Sequence, residues 1–95
     1  MHDPASPSSS SEPADAVSAQ AATDVVEEVM AWYSRELLAE RRAPHPDPER
    51  LEHLLARHRE CVQDRERLEE ADGEETARIT ARYAARLKAL EATGP

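Results

Sequence analysis

The sequence predicts an all-α fold, a small antiparallel three-helix bundle. Three observations predict it. Apolar side chains recur at spacings of three and four from Ala22 to Leu90, which is the helical period. Two Asp-led helix starts, Asp47-Pro48-Glu49 and Asp72-Gly73-Glu74-Glu75, divide that stretch into three. The chain has 95 residues and 39% hydrophobic content, which suits one small domain with one thin core.

Residues 1–14 hold three of the seven prolines and five of the seven serines, so the segment has little to bury and is expected as a disordered Pro/Ser-rich N-terminal tail. Residues 15–95 are then the helical domain, with helices at about 20–42, 48–70 and 73–92. Residues 15–23 are Ala-rich and read as frayed first turns. Asp24 and Glu27 have capping-box spacing, and Glu27 and Glu28 suit a positive helix end. Ala22, Val26, Val29, Met30, Tyr33 and Leu37 fall on one face. Arg41 and Arg42 favour the negative end, and Ala43-Pro44 stops the helix. The linker, with Pro44 and Pro46, is short and stiff. Asp47 caps the second helix and Pro48 fits its first position.

Around Gly73 two readings compete. Asp72 with Glu75 forms a capping box for a third helix. Alternatively one long helix passes through Gly73, giving a helical hairpin whose long second helix protrudes, coiled-coil-like, and dimerises. Helical phase favours the long helix, since Leu51, Leu54, Leu55 and Val62 share a face with Ile79, Tyr83, Leu87 and Leu90. The polar residues Glu69, Asp72 and Thr76 interrupt that stripe, and a folded-back third helix has something to pack on. Three helices is therefore the expected arrangement.

Net charge is -8, and no segment is net basic, which disfavours nucleic acid as a partner. A single cysteine cannot form an internal disulfide and fits a reducing compartment. The start MHDPASPSSSSEP lacks the charge and apolar run of a secretory signal, and no stretch approaches the ~20 apolar residues of a membrane span. A cytoplasmic location is expected. The excess of Arg over Lys and the seventeen alanines resemble the product of a GC-rich, bacterial genome.

The stretch HLLARHREC, residues 53–61, gathers two histidines and the only cysteine. Helical phase disperses them. With His53 at zero, His58 falls at about 140°, central to the apolar stripe, and Cys61 at about 80°, on its edge. The three cannot converge on one ion, and a zinc site wants four ligands. No metal, no cofactor and no small-molecule ligand is expected. His58 is instead a candidate pH-sensitive seam residue, needing a hydrogen-bond partner on the first helix, Tyr33, Glu36 or Glu40. Cys61 has Arg57, Arg65 and His58 one turn away, but also Glu60 and Asp64, which oppose a thiolate, so no catalytic residue is expected. Trp32 lies off the main stripe in line with Val25, a second apolar edge that could anchor a partner or simply widen the buried arc. Arg78, Arg82 and Arg86 form a row at four-residue spacing. It could grip an acidic group, or be a solvated face on which Glu74 pairs with Arg78.

Asp47-Pro48-Glu49-Arg50, opening the second of three helices, resembles the all-helical chorismate mutases. That resemblance implies a small enzyme binding a dicarboxylate with Arg and Lys from several helices, including basic residues inside the first. Here the body of the first helix carries only Arg35, and Lys88 is the only lysine, near the far end. The residues themselves point to a non-enzymatic protein–protein interaction module that binds another protein or itself, with a homodimer as one form. Its candidate partner-binding residues are Val25, Trp32 and Tyr33 on one surface and Ile79, Tyr83 and Leu87 on another. The alternatives are the mutase-like enzyme and a nucleic-acid-associated regulator using the Arg78, Arg82, Arg86 row.

Overall fold

A computed structural model of the chain describes residues 5–93, with side chains described from residue 19 onward. The expected tail at 1–14 lies outside the residues whose side chains are described. The protein is a three-helix bundle: α1 spans Ala5–Arg42, α2 Pro48–Leu68 and α3 Gly73–Thr93. No strand occurs among the described residues.

Asp24 does not begin a helix. Residues 19–23 before it are helical, Gln20 donates to its carboxylate at 2.8 Å, and the Thr23 hydroxyl donates back to the Ala19 carbonyl at 3.1 Å. The alanines preceding Asp24 are the strongest helix formers, and they carry the helix through a capping signal that would otherwise start one. At the other end Arg41 and Arg42 occupy the last turn, and the chain leaves the helix ahead of Pro44.

The α1–α2 corner is tied by Glu40 and Asp47. Asp47 sits extended before the first turn of α2, and its carboxylate accepts from the amides of Glu49 at 3.0 Å and Arg50 at 3.4 Å. Two of the amide donors that a helix start leaves unpaired are thus satisfied. Glu40 accepts from the Asp47 amide at 2.8 Å, and Arg50 reaches Glu40 and Glu36 at 3.1 and 2.9 Å. The α2–α3 turn is tighter. Glu69, Glu70 and Ala71 donate to the carbonyls three residues earlier, and the Asp72 carboxylate accepts the Glu75 amide at 2.8 Å. No described residue, Gly73 included, has a positive φ.

Helix α1 is the element on which both others pack, whereas α2 and α3 barely touch through their backbones. It buries Ala22, Val26, Val29, Tyr33 and Leu37, a 4-3-4-4 spacing that keeps one stripe inward. Leu54 and Cys61 of α2 and Ile79 and Tyr83 of α3 complete the buried apolar set. The inward arc of α2 is rotated from the one its leucines suggest. It runs from Asp64 through Leu68 and Cys61 to Leu54, about 20° to 100° on the scale with His53 at zero. Leu55 is left on the outside, 36% exposed. The rotation exists because α2 faces α3 as well as α1, and the group it turns toward α3 is a carboxylate.

Candidate functional site

The densest arrangement of chemistry-bearing side chains is the seam between α2 and α3. At its centre is Asp64, buried to 4% exposure. The Tyr83 hydroxyl donates to its Oδ2 at 2.5 Å and Arg82 donates to the same oxygen at 3.3 Å. Arg67, one turn along α2, holds Oδ1 at 3.1 Å. A buried carboxylate is costly unless its lone pairs are filled, and here both oxygens have charged or hydroxyl donors. One turn up the seam, Arg57 and Arg86 share a Glu60 oxygen at 3.1 and 3.3 Å. The guanidinium carbons of Arg86 and Arg82 lie 5.0 and 5.6 Å from the Tyr83 ring centroid, within cation–π range. Beside Asp64 a shallow cleft is lined by Arg67, Glu75, Arg78, Ile79 and Arg82.

These surroundings fix the protonation states. Burial pushes the Tyr83 phenol far above its ordinary value of 10.0, and its hydrogen bond to Asp64 raises it further. Burial also raises Tyr33, and raises the Cys61 thiol above its ordinary 9.0 despite nearby Arg86. Glu60 is moved the other way: burial would raise it, but the hydrogen bond from Arg57 and the charges of Arg86 and Arg57 hold it below the usual carboxylate range. A thiol kept protonated is a poor nucleophile. The seam joins α2 to α3 through these hydrogen bonds and ion pairs.

Of the sequence-predicted residues, Tyr33, Ile79 and Tyr83 lie inside the core. They have no surface to offer while the three helices are packed, because α3 folds onto α1 and covers the stripe they form. Val25, Trp32 and Leu87 pack against the core with part of each side chain still accessible, and the Trp32 ring meets Tyr33 edge-on at 5.3 Å. Cys61, expected on the edge of the α2 stripe, is fully buried, and His58, expected at its centre, is only half-buried. No hydrogen bond joins His58 to Tyr33, Glu36 or Glu40; both carboxylates are taken by Arg50. His53 is exposed. Among the described residues no group of three metal-ligating side chains assembles. The Arg row is divided rather than solvated: Arg82 and Arg86 cross to α2, and the expected Glu74–Arg78 pair does not form among the described residues.

Asp64 is what sequence reasoning missed, weighing it only as a charge opposing a Cys61 thiolate. The signal available was slight: it lies three residues after Cys61 and four before Leu68, about 60° beyond Cys61 at the edge of the apolar stripe. No helix is long and apolar enough to cross a membrane among the described residues. No protein-family model matches the chain, and no curated protein and no solved structure matches it significantly.

Proposed function

We propose that the protein is a non-enzymatic interaction module that buries a helical apolar edge against another protein or a second copy of itself. The observation that carries this reading is the division of labour among its side chains. The groups with chemical potential, Cys61, Asp64, Tyr83 and Arg86, are spent on packing the three helices. Large apolar groups meanwhile remain accessible: Trp32 and Val25 along one edge of α1, and Leu38 on α1 at 50% exposure. Trp is enriched among the residues that carry most of an interface's binding energy. Glu28 and Arg35, exposed on the same helix three residues after Val25 and Trp32 respectively, would add charge contacts that set register.

Light scattering across protein concentration tests the self-association form. The expected result is a mass that rises reversibly above the 10.6 kDa of one chain and returns toward it in Trp32→Ala. Chorismate turnover provides the opposing arm: a measurable rate in a chain that stays strictly monomeric contradicts the module reading.

A further inference from the structure

We infer that the α2–α3 turn is a hinge, and that a second copy of this chain can take α3 in exchange, giving a domain-swapped dimer in which each α3 packs on the partner's α1. This deepens the interaction reading by naming a second copy as partner and the surface it uses.

Four observations meet at the turn. First, the bend is held by the Asp72 cap and by no strained backbone. Glu69 is in right-handed helical conformation, with φ -65° and ψ -27°, and no residue has a positive φ. A Cβ placed on Gly73 would meet nothing within 4 Å. The turn can become helix without a clash at its glycine. Second, the buried faces of α2 and α3 stay in phase if the helix runs through. Counting about 100° per residue, the buried face of α2 lies at about 20–100° and that of α3 at about 80–140°. Third, α3 is held mainly by α1, and its ties to α2 run through Asp64, Glu60 and Arg67 rather than through a broad apolar contact. All of these surfaces exist on a second copy, so every tie broken by opening is remade in trans. Exchange of identical elements is a low-cost route to a dimer for this reason.

The fourth observation says why opening leads to a partner rather than to a long hairpin. A straightened α3 leaves the face of its own α1 that holds Ile79 and Tyr83, and the same face on a second copy fits them.

The two helix starts of this chain supply the test. Helix α2 begins Asp47-Pro48-Glu49 and α3 begins Asp72-Gly73-Glu74, the same pattern with glycine where proline stood. Proline at the first helical position suits the closed turn, whose Asp72 cap bonds skip the residue-73 amide. In a straightened helix the same proline would be interior and strongly unfavourable. The protein is unfolded in denaturant and refolded at low and at high concentration, then separated by size with mass measured by light scattering. The parent is expected to yield a dimer whose share grows with refolding concentration and which persists on dilution. Gly73→Pro is expected to abolish it while keeping the helicity of the parent. Asp72→Ala, which removes the closed-state cap, is expected to raise the open-to-closed ratio by about fivefold per hinge. Tyrosinate absorbance separates a swap from a face-to-face pair formed by opened chains: in the swapped dimer Tyr83 is expected to stay buried and to titrate with the same profile as the monomer.

A parent that refolds only to monomer at every concentration overturns the proposal, as does a dimer equally abundant in Gly73→Pro. The two readings of association fail separately. Trp32→Ala removes association through the α1 edge but leaves the swap, and Gly73→Pro removes the swap but leaves the edge.

Discussion

Asp64 offers two carboxylate oxygens to three donors, the buried Tyr83 hydroxyl and the half-exposed guanidinium groups of Arg82 and Arg67. Removing one partner of such a group is worse than never having had it, because the other is left buried and unpaired. Asp64→Ala should therefore cost about 3 kcal/mol of stability in a denaturant titration, and Asp64→Asn less, since an amide still accepts from Tyr83. The tyrosines make a pH prediction. Tyr33 and Tyr83, the only two in the chain, are both raised above 10.0 by burial, and Cys61 above 9.0. Above those ordinary values the unfolded chain loses protons that the folded chain keeps. Stability is thus fully present below about pH 9 and falls as pH rises beyond it. Absorbance at 295 nm should show no tyrosinate step near pH 10; tyrosinate should appear together with loss of helicity. At the acid end Glu60, held below its ordinary 4.5, contributes above that value and is lost as pH falls through its folded value. Glu60→Gln should flatten that acid limb. The residues in this seam were hard to read from sequence because their partners lie on another helix: the Arg78, Arg82, Arg86 row is visible as a row, but Asp64 looks like a surface charge until two helices are placed side by side.

At the scale of the helices, what was legible was local. Asp47 before Pro48 and Asp72 before Glu75 act through amides two and three residues away, so the chemistry that starts α2 and α3 is complete within four residues. Asp47→Ala should lower stability by about 1 kcal/mol, measured as a shift in denaturant midpoint. Gly73→Ala should be neutral or stabilising by up to about 1 kcal/mol, since the site is open and already right-handed. The rotation of α2 was not legible. Its leucines mark a face centred on Leu54 and Leu55, whereas the buried arc of Leu54, Cys61, Leu68 and Asp64 leaves Leu55 outside and His58 beside the seam instead of in it. A stripe drawn from apolar residues alone finds the side facing an apolar neighbour and misses the side facing a polar one.

For the whole molecule, the all-α three-helix class followed from period, caps and length, quantities the chain carries along itself. The pairing did not. That α1 serves as the common support, with α2 and α3 joined to each other by charge and hydrogen bonds, depends on contacts tens of residues apart. The core is thin, so single truncations matter: Leu54→Ala, at a site 2% exposed, should cost about 2–5 kcal/mol, a large share of the ~5–15 kcal/mol that holds an ordinary domain. The account rests above all on Asp64 and Tyr83 acting as one buried tie between α2 and α3. A double-mutant cycle of Asp64→Ala and Tyr83→Phe, each of which removes the bond by itself, tests it directly when read by denaturant unfolding. Groups that act as a unit should show a coupling energy of about 1–3 kcal/mol, with the double variant little worse than the poorer single one. Two losses that simply add would contradict the tie.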